Sequence, residues 1–292
     1  MSEVVFGLSI TPSVVTGADP VTDARMAEDL GFDFVSASDH PSGTEPTYET
    51  WTMLAWIAAA TSRIRIATRV LGVPYRNPAM VAKMSETLSR LSGGRLILGM
   101  GGGYSDEEFR AFGLGTFSPR RKVDGLEEAV RIIRGLWAER AFTFDGRVYH
   151  TDKAEMEPKP ARPIPIWLGT FGERALRATG QLADGWIPSH GDRSLQQYEG
   201  MRERVLTAAH DAGRDATDVT CALHLQVQIG ADAAGGTSLL TGPPAAIVER
   251  VLAFTAIGFT SFNFTVTGPD TRRQAEQLAH EVIPPIRASA LG

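Results

Sequence analysis

The chain has little with which to build a disulfide framework, a metal cage or a membrane anchor. Cys221 is its one cysteine, which excludes an intramolecular disulfide and a cysteine-ligated metal. No apolar run approaches the roughly 18–20 residues of a spanning helix. The stretch Met1 to Ile10 lacks the basic start and apolar core of a secretory leader. Basic blocks are missing too, and with a formal charge of −5 a nucleic-acid partner is not expected. His40, His150, His190, His210, His224 and His280 show no metal-ligand spacing. These absences point to a cytoplasmic protein with no metal, membrane or nucleic-acid partner.

What the chain does have is rhythm. Its 292 residues, 43% hydrophobic and 22% charged, suffice for one well-buried globular domain. Apolar strands are expected at Val4–Ile10, in the stretch Phe32–Pro41, and at Ile64–Val70, Arg95–Met100, Ile166–Gly169, Trp186–Ser189, Val219–Ile229 and Thr260–Val266. Helical patterns follow nearly every one. Asp19 before Pro20 and Asn77 before Pro78 read as caps with a first-turn proline. Alternating strands and helices imply a parallel sheet, and eight units in this length predict a closed (β/α)₈ barrel rather than an open doubly wound sheet. The longer spacing at about 104–160 reads as an insertion after the fourth strand, inside a single domain spanning 1–292. It holds a short helix at Ser105–Phe112, a longer one at Val123–Ala138 and a hairpin around Asp145-Gly146.

A barrel keeps its chemistry at the C-terminal strand ends, so the residues there are the candidates. Asp39 and His40 close the second strand. An imidazole can take or give a proton near neutral pH, but Asp39 as a turn cap beside a structural His40 fits the residues equally well. Gly99-Met100-Gly101-Gly102-Gly103 ends the fourth strand, where glycines let a flat ligand approach the backbone. Gly169-Thr170-Phe171-Gly172 leads into a helix whose free amides suit a phosphate, and Thr170 with Glu173 also reads as a capping box. Arg120-Arg121-Lys122 adds charge to that phosphate or is a solvated face. Tyr48, Trp51, Tyr75, Tyr104 and Trp186 fall near strand ends and suit a planar ligand's pocket or plain packing.

The chain resembles the bacterial-luciferase-like flavin and deazaflavin oxidoreductases over essentially its whole length. The matching motifs are Ser38-Asp39-His40, Thr68 through Arg76-Asn77-Pro78, the glycine run at 99–103, the Arg120 region with Leu136-Trp137, Ile166-Trp167-Leu168-Gly169 to Leu176, and Ala183-Asp184-Gly185-Trp186. Thr241-Gly242-Pro243-Pro244 and Ala256-Ile257-Gly258-Phe259 fit as well. The resemblance is to the coenzyme F420-dependent branch, and it implies a TIM barrel with the deazaflavin in its mouth. It assigns Asp39 to the cofactor and His40 to proton transfer. It sets a cis peptide at Arg69-Val70 behind the ring, with Thr68 and Gly101 to Gly103 beside it. It gives the phosphate to Gly169, Thr170, Phe171 and Gly172. The branch's sugar-phosphate dehydrogenases carry a catalytic Glu after the glycine turn and a Trp after the Asp-His pair. Here Tyr104 and Thr44 stand there, which argues against a sugar phosphate and makes Tyr104 a candidate proton donor. The resulting expectation is an F420-dependent oxidoreductase that passes hydride to or from a small organic substrate. The alternatives are an FMN-dependent monooxygenase fed by a separate flavin reductase, or a non-catalytic flavin-binding relative. A homodimer is also implied.

Overall fold

Side chains on a strand alternate between two faces, and here both faces are buried along most strands, as a sheet covered by helices requires. The computed structural model of the protein describes residues 3–15, 18–230 and 238–291; Met1 and Ser2, in the stretch examined for a leader, lie outside these. The strands are β1 (Val5–Ser9), β2 (Phe34–Ala37), β3 (Arg65–Thr68), β4 (Leu71–Gly72), β5 (Leu96–Gly101), β6 (Phe142–Asp145), β7 (His150–Ala154), β8 (Ile166–Leu168), β9 (Gly185–Trp186), β10 (Thr220–Ile229), β11 (Leu239–Gly242) and β12 (Ser261–Val266). Eight of them, β1-β2-β3-β5-β8-β9-β10-β12, pair in parallel, and β12 returns to β1. The (β/α)₈ TIM barrel is therefore closed, and an open sheet is excluded.

The helices are α1 (Pro20–Asp29), α2 (Thr50–Ala60), α3 (Pro78–Leu91), α4 (Asp106–Ala111), α5 (Pro119–Ala138), α6 (Glu173–Leu182), α7 (Leu195–Asp211), α8 (Pro244–Ala256), α9 (Thr271–Gln277) and α10 (Ile283–Leu291). Among the described residues, none is long and apolar enough to cross a membrane. The foreseen caps are in place. Asp19 accepts the amides of Val21 and Thr22 at 3.1 Å, and Asn77 accepts that of Ala79 at 2.9 Å.

Inside the barrel, Phe34 meets Trp167 edge to face at 5.8 Å, packed with Ala67, Ile97, Ile187 and Ala222. Above this apolar plug the inward positions turn small or polar, with Ser36 donating to Asn263 Oδ1 at 2.9 Å. The plug closes the bottom, and the C-terminal end is lined for ligands.

Four expectations need correction. The two-residue β4 and the short β11 lie outside the eightfold pattern. Helix α5 begins at Pro119, capped by Ser118, rather than at Val123, so Arg120, Arg121 and Lys122 form its first turn. Because α5 packs against both α3 and α6, it is the barrel's own crossover helix. The additions within 104–160 are thus α4 with its flanking loops and the β6–β7 hairpin. That hairpin is held to α5 by the Glu128 carboxylate, which accepts the amides of Arg147, Val148 and Tyr149 at 2.8–2.9 Å. The last helix, expected over about 270–283, does not stop there. It continues through a π-helical turn (Leu278–Val282) into α10. Pro284 and Pro285 follow directly on this turn, and each removes one amide from the helical ladder there.

Candidate active site

Strand β2 ends at Ala37, and the chain then carries Asp39 inward and His40 outward. Asp39 is 5% exposed. Its Oδ2 accepts the Gly72 amide at 2.9 Å and Arg76 Nη1 at 2.8 Å, while Oδ1 accepts Arg76 Nη2 at 3.1 Å. Arg76 also bonds Glu49, the N-cap of α2. Burial works against the Arg76 charge, but the bonds from Asp39 and Glu49 leave its pKa above the ordinary guanidinium value. Asp39 is committed to this bidentate pair and to the start of β4. In this geometry its carboxylate fixes the strand end at the barrel mouth.

His40 lies on the open side of the same turn. Its Nδ1 meets Glu108 Oε1 at 3.0 Å, and Tyr75 Oη donates to Glu108 Oε2 at 2.5 Å. Burial and the adjacent carboxylate push the Tyr75 phenol well above its ordinary value, so it stays protonated as a donor. Glu108 comes from α4, which Ser105 caps. Sequence reasoning placed a tyrosine where a carboxylate was sought, and the structure supplies the carboxylate one helical turn later. The capping pattern Ser105-Asp106-Glu107-Glu108 was the available signal, and it fixes the acid's position on the helix but not its partner. Tyr104 itself is 88% exposed and sets its ring edge to face against His40, centroids 6.3 Å apart. It covers the imidazole from the rim.

The wall opposite this triad is made without side chains. A Cβ on Gly99 would sit 1.9 Å from the Thr68 carbonyl, and one on Gly101 2.8 Å from Val70 Cγ2. Val70 also lies against Gly169, and the Arg69-Val70 peptide is cis. Thr68 is buried, and its hydroxyl bonds both the carbonyl and the amide of Gly99, at 2.7 and 2.9 Å. It clamps β3 to β5. Gly102 backs onto the Lys122 carbonyl, and Gly103 (φ 92°) makes room for the Phe109 ring.

At the β8–α6 turn the foreseen capping box does not form. Gly172 is the N-cap with no side-chain bond, so the first amides of α6 are free. Thr170 turns inward, its hydroxyl 2.7 Å from that of Thr179. Phe171 is half exposed, with the Arg193 guanidinium 4.6 Å over its ring. The nearby cations are committed elsewhere: Lys122 to Asp106 at 2.9 Å, Arg120 to Asp124 at 3.8 Å, and Arg174 to Asp124 and Glu127. Among the described residues no cluster of metal-binding side chains occurs.

A family model for luciferase-like monooxygenases matches residues 11–236. An F420-dependent glucose-6-phosphate dehydrogenase of Nakamurella multipartita is 32% identical over 216 residues, 72% of this chain and 63% of that protein. The chain thus matches somewhat under two thirds of that relative's length. An enzyme of the same name from Kineococcus radiotolerans is 27% identical over 90% of this chain and 91% of its own. Among solved structures, an F420-dependent secondary alcohol dehydrogenase in complex with an F420-acetone adduct superposes with a TM-score of 0.88 at 20% identity, covering 98% of this chain and 99% of that one.

Proposed function

The chain belongs to the luciferase-like monooxygenase family, and on that premise we propose that it is a single-domain F420-dependent oxidoreductase acting on a small organic substrate. The observation that carries this reading is the pairing, at one barrel mouth, of a Cβ-free wall with a carboxylate-bound imidazole. The wall at Gly99, Gly101 and Gly169, ledged by Val70, fits the flat ring of a deazaflavin. The free first-turn amides of α6 beside Gly172 fit its phosphate. When bound, the coenzyme supplies the hydride chemistry, while the protein supplies position and a proton path.

That path runs through His40. With Nδ1 donating to Glu108, Nε2 is left to accept the proton of a substrate hydroxyl as it is oxidised, or to return one in reduction. Glu108 holds the tautomer and steadies the imidazolium; Tyr75 fixes Glu108; Tyr104 sets its ring edge against the imidazole. A His40→Ala variant should bind F420 with near-normal affinity yet lose roughly 10²–10⁴ in kcat. Full turnover in that variant would remove His40 from the mechanism.

A further inference from the structure

The half of the mouth away from the glycine wall carries polar groups that the proton path leaves unused. Alternation along the strands turns Ser9 of β1, Thr265 of β12 and His224 of β10 into the barrel, above the Ser36–Asn263 bond. Arg69 reaches this group from the end of β3, its Nη2 donating to Ser9 Oγ at 3.3 Å. Among the described residues its Nε has no hydrogen-bond partner, and no carboxylate pairs with it. Asp39, on the other side, is already held by Arg76. Burial brings the Arg69 guanidinium down to about 10, so it remains charged at neutral pH. His224 is 6% exposed; Nε2 lies 2.8 Å from Thr265 Oγ1, and among the described residues Nδ1 has no partner. Burial first, and then the Arg69 charge, push this imidazole well below its ordinary value, which keeps it neutral. In the tautomer in which Thr265 donates to Nε2, Nδ1 carries a proton and is a second unpartnered donor near the cation.

A sunken cation with no counter-charge among the described residues, and an unpaired donor beside it, leave a deficit that one anionic oxygen pair makes good. We infer that Arg69 and His224 form a substrate subsite for a carboxylate, so that the substrate is a small carboxylic acid whose oxidisable or reducible carbon sits between this subsite and His40. One guanidinium matches a monoanion better than a phosphate dianion. The inference rests on the oxidoreductase reading and names the substrate class within it.

The test needs no turnover. In histidine-labelled protein at pH 7, the His224 imidazole resonance, identified by its loss in His224→Gln, is followed by NMR while sodium acetate is added. Sodium chloride at equal ionic strength and uncharged acetamide serve as the comparison probes. The expected result is a saturable shift with acetate alone, weakened at least tenfold in Arg69→Met and largely kept in Arg69→Lys. No saturable shift, or an undiminished one in Arg69→Met, overturns the subsite. Repeating the titration with saturating F420 separates the two sources of an anion. Retained acetate binding supports a substrate site, and displacement by F420 gives the subsite to the coenzyme and overturns the assignment. F420 binding itself is read independently by fluorescence quenching. A protein that binds F420 but not acetate therefore loses only this inference, and one that binds acetate but not F420 loses only the F420 reading.

Discussion

His40 and Glu108, 68 residues apart, share a 3.0 Å contact between Nδ1 and Oε1 at the edge of the barrel mouth. On the proposed function, the contact leaves the second imidazole nitrogen for the substrate and opposes it with a negative charge through the ring. Glu108→Gln keeps an acceptor for Nδ1–H but removes that charge. We expect kcat to fall on the order of 10², with F420 affinity and KM near wild type. Unchanged kcat in steady-state assays would confine Glu108 to a structural role.

The Asp39–Arg76 pair has its carboxylate almost wholly buried and its guanidinium partly so. Removing one partner of such a pair strands the other charge. Arg76→Met should therefore cost about 3–5 kcal/mol in urea unfolding, more than a surface substitution by a wide margin. A loss below about 1 kcal/mol would mean that Asp39 finds another partner.

Gly101 faces Val70 so closely that an added methyl group meets Cγ2 at 2.8 Å. Gly101→Ala should weaken F420 binding more than tenfold while leaving a folded barrel, because the ledge must shift into the ring's space. Adding Val70→Ala opens that space and should recover part of the affinity. A double variant no better than the single one would count against steric closure of the wall.

The barrel was legible in the sequence because its signals are local. Asn77-Pro78 and Asp19-Pro20 announce helices at the positions where they cap. The apolar strand runs keep their period whatever surrounds them. The candidate site was legible only where a motif is contiguous, as at Asp39-His40 and the glycine turns. The partners that decide their roles come from distant segments. Arg76 lies 37 residues from Asp39, and Glu108 sits on a six-residue helix whose orientation depends on the loops around it. Thr68, Thr170 and Asp39 were legible as positions, yet whether each faces a ligand or the scaffold is settled by tertiary packing. Arg69 reads, through the resemblance, as half of a cis peptide behind the ring. That it has no counter-ion among the described residues becomes visible only when its surroundings are assembled.

His224 and His190 both have imidazole pKa values lowered chiefly by burial. The native state therefore binds fewer protons than the unfolded chain below the unfolded value of about 6.5. Stability should be fully present above that pH and fall as acid is added, with a slope of up to about 1.4 kcal/mol per pH unit for each imidazole. Urea unfolding between pH 7.5 and 5.5 reads the slope, and His224→Gln should flatten it. An equal slope in the variant would assign the acid sensitivity elsewhere.

The central claim is that the glycine wall and the α6 amides hold a deazaflavin. Titrating the purified protein with F420 and, separately, with FMN, and following the quenching of each cofactor's fluorescence, tests it most directly. The account predicts saturable quenching of F420, lost on Gly101→Ala and kept in His40→Ala, with FMN binding far weaker. Tight FMN binding with no response to F420 would contradict it and make the protein a flavin enzyme of the same family.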